Sequence, residues 1–190
     1  MTATFNVMLD TGGSAGSPAT ETNTDGLGPP NVRFKQADDP NIDSNNPIPI
    51  PTDSSTNYSY WKQVYLQCGT APDTQVDNVR FFTDGTGFGT GITTNIGSPF
   101  PEKSSTSDLG YDPATSAVAI TNHANVNSAS DVFTYTSGTL LDGPTISETD
   151  NTITASGNTT DYMVLGMNVT SGASPGNLAD ETFTFRYDEI

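Results

Sequence analysis

The chain has 190 residues and a net charge of -16, from 22 acidic against 6 basic side chains. A surface of that sign repels nucleic-acid phosphates and anionic membranes, so neither is an expected partner. Hydrophobic residues make up only 33%. The excess of Thr, Ser, Asn, Gly and Pro disfavours helices and suits one domain of short strands joined by many turns.

The first strand candidate is Thr2–Leu9. It is followed by the Gly/Ser/Ala/Pro-rich stretch Asp10–Pro30, "DTGGSAGSPATETNTDGLGPP". We expect residues 1–30 to form a strand or arm with a flexible loop, able to reach a neighbouring subunit. Residues 31–190 are expected to form a single β-sandwich domain that stays folded without residues 1–10. The start "MTATFNVMLD" has neither the basic region nor the apolar core of a signal peptide. The expectation is a protein made in the cytoplasm that works outside after release, or one whose signal was replaced by a start Met. No run approaches the roughly 20 apolar residues of a membrane span.

A short strand is expected at Asn31–Lys35, then a second long polar segment, Gln36–Thr56. Its "PIPIP" is extended, because proline fixes its own φ and restricts its predecessor. Loops of this length are functional or disordered, and we expect neighbours in an assembly to hold these. The segment carries Asp38, Asp39, Asp43 and Asp53, and the earlier one carries Glu21 and Asp25. Adjacent carboxylates repel unless solvent or a cation screens them. Both a solvated shell and a structural Ca²⁺ remain open.

Tyr58–Cys68 reads as a strand with large residues on both faces, hence a central one. Cys68 is the sole cysteine, so no intramolecular disulfide exists and a buried, inert thiol is expected. Trp61, Tyr58 and Tyr60 fit either the packing of a central strand or a platform for stacking sugar rings.

The next strand, Asn78–Thr83, runs into "TDGTGFGTGI". No lysine follows these glycines and no helix starts there, so the stretch is not a phosphate loop. Asp84, with Asp77, is a candidate Ca²⁺ ligand pair. The simpler reading is an Asp-Gly turn, with glycine supplying the positive φ.

Further strands are expected at Gly91–Asn95, Ala117–Thr121, Asp131–Thr136, Thr152–Ala155, Tyr162–Thr170 and Thr182–Tyr187. The last alternates Phe183, Phe185 and Tyr187 with polar residues, the pattern of a strand lying on a core. A helical turn is possible after Asp112-Pro113. His123, the single histidine, lies in the Asn-rich "ITNHANVN" and reads as a surface residue. No nucleophile–base pattern is present, and Glu21, Glu102, Glu148, Glu181 and Glu189 are scattered. The chain therefore reads as non-enzymatic, with no cofactor other than the calcium considered above. The sequons at Asn57, Asn158 and Asn168 matter only on a secretory route.

The fold class expected is all-β: an antiparallel, jelly-roll-like β-sandwich of about 8–10 short strands with long Pro/Gly-rich loops. The run "SYWKQVYLQCGTAPDTQVDNVRFFTDGTGFGTGI" resembles part of a jelly roll. "DYMVLGMNVTSGASPGNLADETFTFRYDEI" resembles the closing hairpin of β-sandwich modules. The combination is similar to bacteriophage and archaeal-virus virion proteins, particularly capsid decoration (cement) proteins. That resemblance implies a virion location, with the major capsid protein and copies of the chain itself as partners, and it carries over no functional residue. Two other classes stay open. One is an extracellular filament or surface-layer subunit assembling by strand exchange. The other is a secreted carbohydrate-binding module with structural calcium.

Overall fold

The computed structural model describes residues 2–23, 32–143 and 152–190. The expected all-β class is what they form: two antiparallel sheets packed as a sandwich. The strands are β1 (Thr4–Thr11), β2 (Thr20–Asn23), β3 (Thr56–Tyr58), β4 (Lys62–Thr70), β5 (Val76–Phe82), β6 (Ile92–Ser98), β7 (Ser128–Asp131), β8 (Leu141–Asp142), β9 (Met163–Thr170) and β10 (Thr184–Glu189). The large sheet runs β2-β1-β4-β9-β6-β7, with β3 also paired to β9, and the small sheet runs β10-β5-β8.

Alternation along the strands assigns the two faces of the large sheet. Leu9, Val64, Met163 and Leu165 point at the small sheet, where they meet Phe81, Phe183 and Phe185. Leu66 and Cys68 continue that core against Val76, Val79 and Ile153. The other face carries Met8, Tyr65 and Tyr162, packed with Tyr111, and Trp61 and Val164, packed with Ala114, Ile120 and Val126. Here the cover is not a sheet. It is the chain between β6 and β7, which has only one 3-10 turn, Ile120–Asn122. Both faces of β4 are thus buried, as its large residues on both sides require.

Two local devices make this geometry possible. Ile120 lies directly over β9, where a Cβ on Gly166 would come 2.0 Å from its Cγ2. Only glycine admits that approach. The second device joins β3 and β4, which share one edge of β9 in succession. Ser59 lies in the gap between them. Its N–H donates to the Met167 carbonyl at 2.9 Å, and its Oγ accepts from the Met167 N–H at 2.9 Å. The serine hydroxyl stands in for the carbonyl that a continuous strand would supply.

Several expectations change. The segment read as an arm, Thr2–Leu9, belongs to β1, which pairs with β4 on one side and β2 on the other. Leu9 and Asp10 are both 1% exposed, so β1 is an interior strand of its own chain. The expected loop Asp10–Pro30 contains the end of β1 and all of β2, while Thr24–Pro30 lies outside the described residues. Val32–Lys35 is coil, and Ala117–Thr121 ends in the 3-10 turn instead of a strand. Tyr58–Cys68 is split at Ser59–Trp61. After Asp112-Pro113 the chain stays irregular until Ile120.

Candidate functional site: lysines and carboxylates buried beneath the loops

Three of the six basic residues, Lys35, Lys62 and Lys103, are buried. A buried ammonium is tolerated only when paired or hydrogen-bonded, so their partners show what they hold in place. Lys35 Nζ sits 2.7 Å from Asp39 Oδ1 and 3.1 Å from Asp43 Oδ1. Lys62 rises from β4 and donates to the carbonyls of Ala37, at 2.7 Å, and Asp39, at 3.3 Å. Burial holds the Lys62 ammonium below the usual lysine range, while Asp38 and Asp39 pull the other way. Burial raises the Asp39 carboxyl, but hydrogen bonds from Lys35 and Asn41 more than offset it and leave it below its ordinary value. Asp43 is held low by the Asn45 N–H and by Lys35. The coil from 35 to 46 is closed further by Gln36 N–H donating to the Asn46 carbonyl at 2.8 Å.

The second cluster lies on the opposite face of the large sheet. Tyr162, just before β9, donates to Asp10 Oδ2 at 2.5 Å, and its hydroxyl lies 3.3 Å from Asp108 Oδ1. Lys103 Nζ pairs with Asp108 at 2.8 Å and lies 4.6 Å from the centre of the Tyr65 ring. Tyr65 donates to Glu21. Tyr111 donates to the Gly12 carbonyl at 2.7 Å, and Asp38 accepts from the Gly12 N–H at 2.9 Å. Burial drives the Asp10 carboxyl up to about 7. The hydrogen bond from Tyr162 opposes that rise and the Glu21 charge adds to it. Asp10 Oδ1 has no hydrogen-bond partner among the described residues. A carboxyl in that state holds a proton at mildly acidic pH.

The polar layer continues to His123. Its Nδ1 accepts from the Asn125 N–H at 3.1 Å, so Nε2 carries the proton and donates to Gln63 Oε1 at 2.8 Å. Gln63 also bonds both backbone groups of Asp112, accepting from N–H at 3.0 Å and donating to the carbonyl at 2.8 Å. Burial lowers the imidazole to about 4. The expectation that His123 is a surface residue is therefore corrected: it is 2% exposed, a neutral link between β4 and the loop. The arrangement as a whole fixes loops onto a sheet and leaves no ring nitrogen free for substrate.

The sequence-predicted site residues are not brought together. Asp77 is near the start of β5 and Asp84 lies beyond its end, about 20 Å away along an extended chain. One ion cannot bridge them. Asp84 accepts from the Thr86 N–H at 2.7 Å, and Gly85 has φ 84°, which is the Asp-Gly turn. Asp77 accepts from the Gln75 side chain at 3.3 Å. No three His, Cys, Asp or Glu side chains among the described residues are grouped to hold a metal ion. In the acidic loops, Asp53 accepts from the Ser55 N–H, and Asp25 and Glu148 lie outside the described residues.

Trp61 is 5% exposed and donates to the Asp112 carbonyl at 2.7 Å, so it offers no face to a sugar. Cys68 is buried as expected, and burial pushes its thiol up. Sequence reasoning missed the three lysines. The signal was there for Lys62, which alternates with Val64 and Leu66 and so had to point inward. Compared with protein-family models, with curated proteins and with solved structures, the chain matches none.

Proposed function

We propose that this chain is a non-enzymatic structural protein of a virion, a decoration-type β-sandwich that binds the capsid lattice and stabilises it through its loops. Its partners in this reading are the major capsid protein and further copies of the chain. The observation that supports it is the use of Lys35, Lys62 and Lys103 to fix loops from inside. A loop surface ordered before contact loses little conformational entropy on binding, which suits a protein whose task is to hold a lattice. Because β1 is engaged in its own sheet, the contact falls to the coils at 36–55 and 99–127 and not to an N-terminal arm.

The test is location. Particles from the source culture are purified through a density gradient, digested and analysed by mass spectrometry, and intact particles are labelled with an antibody to the chain. The expected result is co-purification at constant stoichiometry, with label on the particle surface. Recovery only from cell-envelope or filament fractions, with particles free of the chain, overturns the reading in favour of the surface-layer alternative.

A further inference from the structure

Between the two sheets, where the small sheet ends, lies a cleft of about 880 Å³. That volume falls within the roughly 300–1,000 Å³ of small-molecule sites. One wall is a stripe of β9: Met163, Leu165, Met167 and Val169. Alternate strand residues share a face, so the stripe runs about 20 Å from end to end. Phe183 and Phe185 lie across from it, Phe81 packs with Met163 and Leu165 at the closed inner end, and Ile48 and Ile50 close one side. The shape is long and apolar, and its two methionines adapt to an irregular occupant.

The rim adds a charge. Arg33 lines the cleft, and its guanidinium meets only neutral oxygens at long range: the Ile42 carbonyl at 3.5 Å and Asn177 Oδ1 at 3.3 Å. No carboxylate pairs with it among the described residues, whereas Lys35, Lys103 and Arg80 each have one. Two of the four large hydrophobics left exposed among the described residues are Ile42 and Leu178. These lie on the two segments that Arg33 tethers. An apolar channel with the exposed Leu178 on its rim, and with a guanidinium that no carboxylate neutralises among the described residues, matches an amphipathic molecule with an anionic head. Asp180 and Glu181 share the rim, and they disfavour a head of more than one negative charge.

We propose that this cleft binds a long-chain carboxylate, with its hydrocarbon along β9 and its carboxylate on Arg33. The site is independent of the virion reading and stands or falls separately. The test uses the full chain, stripped of lipid and loaded with a fluorescent polyene fatty acid, which is displaced by palmitate, hexadecanol or octanoate. Native mass spectrometry gives the stoichiometry. Palmitate is expected to displace the probe at one molecule per chain, with hexadecanol and octanoate each about tenfold weaker or more. Arg33→Gln is expected to weaken palmitate about tenfold and leave hexadecanol unchanged. Ile48→Trp, which fills the cleft from a coil wall, is expected to abolish displacement by both while the melting temperature holds. The proposal is overturned by no probe binding, by several ligands per chain, by equal affinity for palmitate and hexadecanol, or by an Arg33→Gln variant that keeps the wild-type preference.

Discussion

The two faces of the large sheet are buried by different means. Towards the small sheet the cover is apolar where the sheets meet, with Leu9, Val64 and Leu165 against Phe81 and Phe185, and on that face Lys62 alone among the described residues reaches coil carbonyls. That side contains the 880 Å³ cleft. Towards the chain between β6 and β7 the cover is irregular backbone, and the contacts are tyrosines, carboxylates, Lys103, Gln63 and His123. The difference follows from what each cover lacks. A sheet satisfies its own backbone and needs only apolar complementarity. A coil brings unpaired N–H and C=O groups, which buried side chains must meet. The apolar face should therefore tolerate changes of shape, and the polar face should be sensitive to single atoms and to pH.

The strongest challenge to this contrast removes a strand that serves both faces. Deleting residues 2–11 takes out β1, with Leu9 on one face and Asp10 on the other. The expected outcome is loss of a cooperative thermal transition. A folded truncation would restore the arm reading.

Next is Lys62→Met, which leaves the Ala37 and Asp39 carbonyls without their donor. It is expected to cost about 3 kcal/mol, measured by urea unfolding, and to open the coil at 36–46 to limited proteolysis.

The pH response then separates two groups on the polar face. Asp10 has its carboxyl raised to about 7. Its contribution is fully present below the unfolded value near 4 and is lost as pH rises through 7. His123 is lowered to about 4. Its contribution is present above the unfolded value near 6.5 and is lost as pH falls through 4. The two oppose each other across one window, each on a scale of about 3–4 kcal/mol. Urea midpoints from pH 4 to 7 are expected to rise more steeply with pH in Asp10→Asn than in the wild type, and to fall in His123→Gln. Parallel slopes in all three proteins would remove both groups from the account.

Gly166→Ala places a methyl against Ile120 and is expected to cost about 1–3 kcal/mol, whereas Val169→Ala on the cleft wall is expected to cost less because that wall is already loosely filled. The smallest effect is expected at the turn. Asp84→Ala loses one hydrogen bond to Thr86, about 1 kcal/mol or less, and added Ca²⁺ should leave the melting temperature of both proteins unchanged.

How much of this was legible in the sequence depended on the range of the interaction. The alternation of Phe183, Phe185 and Tyr187 marked β10, and Asp84-Gly85 marked its turn, because both signals are local. Ala117–Thr121 carries the same β-branched and small residues, yet it makes no ladder. Ile120 is drawn down onto Gly166, 46 residues away in sequence, and nothing near position 120 records that. His123 looked exposed because its neighbours are polar, but those neighbours point outward while its ring meets Gln63 on β4. The acidic loops looked as if solvent or calcium must screen them. The counter-charge of Asp39 and Asp43 is Lys35, just before their loop, and that of Glu21 is the distant Lys103, which no local pattern ties to it.

The junction at Ser59 carries a consequence for the time the sheet stays shut. The Met167 amide is protected by a hydroxyl, not by a carbonyl, and a hydroxyl can rotate away without any strand moving. Deuterium should enter at Met167 ahead of its neighbours on β9, and in Ser59→Ala it should enter sooner still. A single side chain would then set the local clock of a central strand whose own sequence gives no sign of a weak point.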